Sequence, residues 1–354
     1  MGLFSRKKAP LVGIDISSSA VKLLELGRSG EQYKVERYTV EPLSQNAVVE
    51  NAITDVEQVS RAVDRAVKRS GTKRRDAAVA VASSHVITKT ITMPSGMREQ
   101  ELEQQIEMEA DHYIPYPLEE VNLDFEVIGP SRANPNEDDV IIAACRKEIV
   151  DDYVAVIEGP GLNPAVIDVD AFAMESAYSL LSSLLPSGGV ESTVAVIDFG
   201  ATTTHMNVMH NNRSVYTRDH AFGGKQLTEE IQRRYGLSYE EAGLAKKVGG
   251  LPDNYQTDIL QPFMEAMCQE TMRALQFFYS STQFNSVDHI LLAGGCAQIG
   301  GADELVANRV GVPTATANPF SDMSLASRVK PQMLGGDAPS LMVACGLAMR
   351  SFDA

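Results

Sequence analysis

The residues best suited to chemistry lie in two short stretches built on the same plan. Leu11–Lys22 reads Leu-Val-Gly-Ile-Asp-Ile-Ser-Ser-Ser-Ala-Val-Lys, and Val194–Thr204 reads Val-Ala-Val-Ile-Asp-Phe-Gly-Ala-Thr-Thr-Thr. Each is an apolar run that ends on Ile-Asp and is followed by a turn of small, hydroxylated residues. Such a turn lets backbone N–H groups approach an anion, and the aspartate can hold a divalent cation through its waters. Two copies predict two binding turns, one on each side of a single metal-bound polyphosphate.

A third turn of this type, Gly294–Gly301, follows the apolar run Val287–Ala293. Gly223-Gly224-Lys225 lacks the Ser/Thr and the glycine spacing of a Walker A loop, and no G-x-G-x-x-G follows a strand. The six histidines show no metal-ligand spacing with carboxylates or cysteines, and the sequence contains no G-x-S-x-G nucleophile elbow. The predicted chemistry therefore depends on the three turns together.

The composition excludes several classes of protein. The net charge of −16, from 31 Lys plus Arg against 47 Asp plus Glu, argues against broad nucleic-acid binding. No apolar run approaches the roughly 20 residues of a membrane-spanning helix, and the N-terminus lacks a signal-peptide core, so we expect a cytoplasmic protein. The four scattered cysteines favour reduced, buried thiols. At 354 residues, two or more domains are expected.

The elements that position the turns form two matching units. Each Ile-Asp strand leads into a predicted hairpin, Val21–Leu26 with Tyr33–Val40 in the first unit and Met206–Met209 with Ser214–Arg218 in the second. Helices are predicted where apolar residues recur at helical spacing or where capping residues occur. They cover Asp55–Ser70, Arg98–His112, Glu148–Glu158, Ala171–Leu185, Lys225–Tyr235, Tyr239–Val248, Thr257–Ser281 and Ser340–Arg350.

A stretch with a different pattern of predicted strands and helices separates the two units. Its pattern of strands and helices predicts a β-α-β-β-α-β package, and an insert of roughly 80 residues is a subdomain and not a loop. The predicted organisation is a first lobe, an insert, a return to the first lobe with a connector helix, a second lobe and a C-terminal connector helix. These segments cover 1–84, 85–166, 167–192, 193–335 and 336–354.

In this order, the three turns resemble those of the actin-like ATPase superfamily, which includes actin, Hsp70 chaperones, sugar kinases and the division protein FtsA. The resemblance implies an α/β fold of two ribonuclease H-like lobes with a ferredoxin-like insert placed as in FtsA. FtsA-like chains carry a further C-terminal tail, whereas this sequence stops at Ala354, and that difference favours the PilM family of type IV pilus assembly. Other features resembling that family are the basic leader before Leu11, Tyr113-Ile114-Pro115 followed by Leu118-Glu119-Glu120-Val121, Phe222-Gly223-Gly224, Leu292-Ala293-Gly294-Gly295 and Asn318-Pro319-Phe320.

The resemblance implies that ATP or ADP binds with Mg²⁺ in the cleft between the lobes. Asp15 and Asp198 would organise the magnesium ion, mainly through water. The positions implied to contact the nucleotide are Ser17, Ser18, Ser19 and Lys22 on one side of the phosphates, Gly200, Ala201, Thr202 and Thr203 on the other, Gly223, Gly224 and Lys225 at the ribose and phosphates, Gly294, Gly295 and Gln298 at the adenosine, and Lys246 beside the adenine. Two positions depart from the family pattern: Ser17 replaces a glycine, and Gly243 replaces an acidic residue.

The resemblance also implies a partner. The short cytoplasmic N-terminal tail of the inner-membrane protein PilN would dock in a groove between the insert and the first lobe. Pilus motor ATPases and the platform protein are further candidates, and a homo-oligomer stays open. The expected role is nucleotide-sensitive scaffolding in pilus biogenesis and twitching motility, by a cytoplasmic protein held at the inner membrane through its partner. The basic leader Met1–Lys8 is either a solubilising terminus or a contact with anionic membrane.

Two other functions stay open. A small-molecule kinase of the same superfamily would need a carboxylate base in the cleft, for which Asp170 is the candidate and Glu175 the second choice. An FtsA-like division filament is disfavoured by the absent tail. We expect slow or absent ATP hydrolysis, because no residue clearly orients an attacking water.

Overall fold

The computed structural model describes residues 10–30, 32–131 and 134–353, and the basic leader lies outside them. The first unit contains β1 (Val12–Ile16), β2 (Ala20–Ser29), β3 (Gln32–Pro42), β4 (Val48–Val49), β5 (Ala52–Ile53), α1 (Val56–Ser70) and β6 (Asp76–Val81). The middle of the chain contains β7 (Val86–Pro94), α2 (Glu99–Ala110), β8 (Val121–Pro130), β9 (Glu137–Arg146), α3 (Lys147–Glu158), β10 (Asn163–Val169) and α4 (Asp170–Ser182).

The second unit and the C-terminal part follow in the same way. They contain β11 (Thr193–Phe199), β12 (Thr204–His210), β13 (Arg213–His220), α5 (Gly224–Tyr235), α6 (Tyr239–Val248), α7 (Gln261–Ser281), β14 (His289–Ala293), α8 (Ala302–Val310), β15 (Thr314–Thr316), β16 (Ser324–Leu325), α9 (Pro331–Asp337) and α10 (Met342–Met349).

The two main sheets share one strand order. The first lobe has the order β10-β6-β1-β2-β3-β16 and the second lobe β13-β12-β11-β14-β15. In each, the strand that carries the Ile-Asp pair, β1 or β11, pairs antiparallel with the strand that follows it, β2 or β12. It pairs parallel with a later strand, β6 or β14. Read from the hairpin outward, β3-β2-β1-β6-β10 therefore matches β13-β12-β11-β14-β15. The predicted two-lobed α/β duplication is confirmed.

Local signals explain where these elements start and turn. Asn211 and Asn212 adopt positive φ angles of 53° and 62° between β12 and β13, which asparagine tolerates better than most residues. The Asp55 carboxylate accepts a hydrogen bond from the Gln58 N–H at 2.9 Å and caps α1. Ser238 opens α6 in a capping box with Glu241.

The insert is smaller than predicted. Its strands form a separate sheet of order β7-β9-β8, and α2 covers it with a buried stripe that includes Leu102 and Ile106. By contrast, α3 buries Tyr153 and Val156 in the core of the first lobe, and β10 pairs parallel with β6. The structure places the last helix and strand of the predicted 85–166 package, α3 and β10, against the first lobe, because their apolar faces complete its core. The inserted sheet and its helix span 86–146.

The chain also returns to the first lobe earlier than predicted, since β16 pairs parallel with β3. From there α10 passes between β1 and α4. A Cβ added at Gly13 would lie 2.5 Å from the Ala344 carbonyl oxygen, and one added at Gly346 would lie 1.8 Å from the Ala173 carbonyl oxygen. Both approaches need glycine. The first brings α10 against β1, and the second brings α10 against α4, so the two predicted connector helices cross in close contact.

Replacing Gly346 with alanine should destabilise the protein, because the new methyl group would force α4 and α10 apart. Overpacking of this kind typically costs about 1–3 kcal/mol, and we expect the free energy of unfolding in urea to fall by at least that order. Gly335→Ala in α9 is the matched control, since no atom lies within 4 Å of its added Cβ. Equal denaturation midpoints for the two variants would contradict the close helix crossing.

Candidate functional site

The first turn places a lysine directly opposite the predicted metal organiser. Asp15 faces Lys22 in the antiparallel register of β1 and β2, and the Lys22 Nζ donates to Asp15 Oδ2 at 2.8 Å. Burial by itself lowers the pKa of Lys22, but the carboxylates of Asp15 and Asp198 outweigh it and raise that pKa above its ordinary value. The Lys22 cation therefore lies in the field of both aspartates.

The second turn repeats this arrangement with a histidine. Asp198 faces His205 in the register of β11 and β12, and the His205 Nδ1 lies 2.7 Å from Asp219 Oδ1. Burial opposes a charged imidazole, yet the hydrogen bond with Asp219 and the charges of Asp170 and Asp198 raise the pKa of His205 to about 9. Burial also raises the pKa of Asp198. Each aspartate of the duplication thus has a cation seven residues later on the neighbouring strand.

A polar contact joins the lobes across the cleft. The Thr202 hydroxyl donates to the Ser18 Oγ at 3.0 Å, which links the two phosphate-type turns. The Ser17 hydroxyl instead donates to the Ala20 carbonyl oxygen at 2.9 Å within its own turn. Ser17 is not among the residues with positive φ, so its replacement of a glycine carries no backbone strain.

The glycines of the second lobe hold its turns against one another. The Gly224 N–H donates to the Gly200 carbonyl at 3.0 Å, and the Lys225 N–H donates to the Ala201 carbonyl at 2.8 Å. A Cβ at Gly223 would lie 2.5 Å from that Ala201 oxygen, and one at Gly294, whose φ is 84°, would lie 2.3 Å from Asp198 Oδ1. Gly223 therefore packs against the second turn and Gly294 packs against Asp198, and neither position has room for a larger residue.

Lys246 points into the second lobe on the predicted adenosine side. Its Nζ donates to the Gly224 carbonyl at 3.1 Å and to the Thr228 hydroxyl at 2.7 Å, and burial lowers the pKa of Lys246. The Cys296 Sγ lies 3.7 Å from the Gly200 carbonyl, and burial raises the pKa of Cys296 to about 11. Gly243 faces open space.

The remaining predicted positions lie at the edges of this constellation. Ser19, Gly295 and Gln298 are exposed, and the Thr203 carbonyl accepts a hydrogen bond from the Gly200 N–H at 3.0 Å. Their exposure leaves them accessible from the cleft side of the turns.

The two candidate kinase bases differ in position. Asp170 begins α4, its Oδ1 accepts from the Ser83 N–H at 2.9 Å, and burial raises its pKa. Glu175 lies further along α4 near Ser214 of β13, and burial raises its pKa as well. Asp170 is in the field of His205, whereas Glu175 faces the second hairpin away from the turns.

Sequence reasoning missed His205 with Asp219, and Thr228 as the partner of Lys246. The hairpin register would have found the histidine, because His205 follows Asp198 at the same interval at which Lys22 follows Asp15. No group of three or more metal-ligating His, Cys, Asp or Glu side chains occurs in the described part of the chain. No described helix is both long and apolar enough to cross a membrane.

A groove of about 660 Å³ lies between the insert and the first lobe. Its walls come from β8, β9 and β10 and from the C-terminal residues after α10. The apolar lining comprises Leu11, Phe125, Ile141, Ala143, Ala165, Val166, Ile167 and Phe172, and the polar lining Asp76, Asp124, Glu126, Asn163, Asp168, Arg350 and Asp353.

The charge of Arg350 is already paired within this groove. It pairs with Asp168 at 2.6 Å and with Asp353 at 3.1 Å. Asp124 and Glu126 have no basic side chain within 4.0 Å among the described residues, so the groove combines an apolar floor with surplus negative charge.

Comparison with known proteins finds relatives over nearly the whole chain. The sequence model of the family described as "Type IV pilus assembly protein PilM" matches residues 13–352. A chain in the solved PilM-PilN type IV pilus biogenesis complex is similar at 26% identity and a TM-score of 0.81, over 98% of this chain and 100% of that chain.

More distant structures share the fold alone. The ethanolamine utilization protein EutJ from Carboxydothermus hydrogenoformans has 16% identity and a TM-score of 0.55, over 96% of this chain and 89% of its own. An archaeal actin homologue solved in complex with ADP has 12% identity and a TM-score of 0.50, over 97% and 99%. The actin-like class of the two-lobed fold is thereby confirmed.

The raised pKa of His205 should make stability depend on pH. Its pKa rises from 6.5 to about 9 on folding, so its stabilising contribution is complete below pH 6.5 and is lost as pH rises through 9. The excess in free energy of unfolding of the wild type over His205→Gln should therefore shrink across this window by on the order of 3 kcal/mol. Urea denaturation across the window measures it, and an excess that stays constant would contradict the imidazolium–Asp219 pair.

Proposed function

Since the chain belongs to the family of the type IV pilus assembly protein PilM, we propose that it is an ATP-binding scaffold of the inner-membrane pilus assembly platform. In this role it docks the cytoplasmic N-terminal tail of PilN and supports pilus biogenesis and twitching motility. The observation that carries the proposal is the family match over residues 13–352, together with the likeness to a chain of the PilM-PilN complex over its full length. In this proposal, PilN holds the protein at the inner membrane as a peripheral component. Motor ATPases and the platform protein are further proposed contacts.

The residues of the cleft fit a nucleotide with magnesium. Asp15 and Asp198 lie at the ends of the two central strands, and the small-residue turns beside them offer backbone N–H groups to phosphates. With only two carboxylates available, a magnesium ion would take most ligands from water and phosphate oxygens, as Mg²⁺ prefers. Lys22 and His205 add positive charge on either side of the phosphates. Asp15 and Asp198 would hold Mg²⁺ mainly through its waters, and the ion would supply neutralisation of phosphate charge.

The same cleft is poorly equipped for rapid hydrolysis. A general base must have a free lone pair near the attacking water. With a pKa of about 9, His205 is protonated at neutral pH and cannot accept that proton. Slow turnover would let bound ATP hold one conformation for the time that a scaffold needs.

Asp198→Ala should abolish most of the stabilisation by ATP·Mg²⁺, because it removes one of the two metal organisers. A ligand at one hundred times its Kd stabilises a protein by about 2.7 kcal/mol, which is a shift of several degrees in the melting temperature. Asp253→Ala, which removes an exposed carboxylate after α6, should keep the full shift.

An unchanged thermal shift in Asp198→Ala would exclude its role. A multiple-turnover phosphate-release rate of the wild type well above that of Asp198→Ala would show that hydrolysis is not slow.

The groove between the insert and the first lobe suits the PilN tail. Among the described strands, β8 and β10 each pair on one side only, so their outer edges are open to an added extended peptide. The pairing of β10 with β6 slips between Pro164 and Val166, which leaves Ala165 as a bulge that lines the groove. Bulges of this kind often re-aim side chains next to functional sites. The apolar floor and the unpaired Asp124 and Glu126 favour an extended tail of apolar and basic residues.

Ala165→Trp should fill the groove and weaken binding of a fluorescent PilN-tail peptide by about tenfold or more, a cost of at least about 1.4 kcal/mol. The duplication supplies a matched control, because Ala315 is also an exposed alanine on the corresponding edge strand of the second lobe, β15. Ala315→Trp should bind the peptide as the wild type does. Equal affinities of all three proteins in fluorescence anisotropy would place the tail elsewhere.

A further inference from the structure

We infer that a basic face at the base of the first lobe binds the anionic phospholipid headgroups of a bilayer. The basic face comprises Arg61, Arg65, Lys68 and Arg69 on α1, with Lys73 and Arg75 in the loop before β6; all six side chains are exposed.

The charge of this segment is opposite to that of the whole chain. Residues 61–75 contain seven Lys and Arg and one Asp, which gives a net charge of +6. The whole chain carries −16, so the remainder carries −22. Such a distribution orients a protein at an anionic surface, since the acidic body is repelled and the basic face is attracted.

The cations of α1 share one side of the helix. They follow the spacing i, i+4, i+7 and i+8, opposite the buried stripe that includes Val59 and Val63. Their intramolecular partners are Glu57, Asp64 and Glu41, in the pairs Arg61–Glu57, Lys68–Asp64, Arg65–Glu41 and Arg69–Glu41. The pairs Arg61–Glu57 and Lys68–Asp64 are exposed at both ends, and such pairs contribute little energy. The Glu41 carboxylate is largely buried, but it is shared between Arg65 and Arg69, so it neutralises one charge of the two and the face keeps a positive surplus.

The two loop cations are free of such pairs. Neither Lys73 nor Arg75 has a carboxylate within 4.0 Å in the described ranges, whereas Arg74 between them turns inward and donates to the Leu26 carbonyl at 2.7 Å. Lys73 and Arg75 therefore point their charge at solvent, and they are the most available members of the basic face.

The face is too far from the cleft to serve the nucleotide. The loop precedes the amino end of β6, which runs parallel to β1, while the first phosphate-type turn follows the carboxyl end of β1. A strand of this length separates the two ends by about 15 Å.

The face does adjoin the groove. The Arg75 carbonyl accepts from the Asn163 N–H at 2.7 Å, and both Asn163 and the neighbouring Asp76 line the groove.

Because the basic face adjoins the docking groove, we take a bilayer as the surface that the face contacts. This step rests on the proposed function. A tail that leaves the membrane and enters the groove would bring the basic face within a Debye length, about 8–10 Å, of the headgroups. Single-stranded nucleic acid fits less well, because residues 61–75 contain no aromatic side chain on which bases could stack.

The test is co-sedimentation of the full chain with vesicles of phosphatidylglycerol and phosphatidylethanolamine, against vesicles of phosphatidylcholine, at low salt. The wild type should bind only the anionic vesicles, and added salt should release it. Lys73→Ala/Arg75→Ala should lower the partition coefficient about thirtyfold, since each surface cation contributes about 1 kcal/mol. The matched control is Arg328→Ala/Lys330→Ala, two exposed cations at the same spacing after β16, at the opposite edge of the same sheet.

The control should bind vesicles as the wild type does. Three results would overturn the inference: no binding of the wild type to anionic vesicles, equal losses in the two double variants, or tighter binding to RNA than to the vesicles. Affinity for the PilN-tail peptide is measured in parallel and should be unchanged in both double variants. Failure of the peptide to bind the wild type would count against the proposed function, whereas the vesicle result judges the basic face by itself.

Discussion

The arrangement of this protein depends on one electrostatic requirement, which is that each lobe ends its central strand with a partly buried aspartate. A carboxylate withdrawn from water is costly unless a cation lies beside it. The antiparallel register of the following hairpin supplies that cation, Lys22 opposite Asp15 and His205 opposite Asp198. The duplication has therefore preserved a charge pair as well as a fold. Lys22 bonds Asp15 and also lies in the field of Asp198, so the charges of the two lobes act on one another across the cleft.

The lobes are joined by contacts of two different kinds. At the crossing of α4 and α10, Gly346 packs backbone against backbone, and such close packing resists deformation. Across the cleft, the lobes meet through single hydrogen bonds such as Thr202 to Ser18. A net hydrogen bond is worth only about 1 kcal/mol, so a bound nucleotide can replace it at little cost. The crossing is therefore the tighter of the two junctions, and the contact across the cleft is the weaker one.

Two strands connect the cleft with the proposed docking groove. Leu11 lines the groove just before β1, and that strand carries Asp15 at the other end. β10 lines the groove along most of its length and then leads into Asp170 at the start of α4. A change in the cleft that tilted either strand would alter the width of the groove. The proposed scaffold can thus relate nucleotide state to partner binding without a long-range relay.

The sequence by itself determined the two Ile-Asp turns, their hairpins, most of the helices and the duplicated fold, because those features follow from local periodicity, turn residues and caps. The same patterns predicted that Asp15 and Asp198 lie at the ends of the two central strands, where the structure has them. Only the tertiary structure decided that α3 and β10 complete the first lobe, since pairing of β10 with β6 depends on residues far apart in the chain. It also decided that His205 is charged, because that charge arises from Asp219, Asp170 and Asp198, which folding brings together from three different elements.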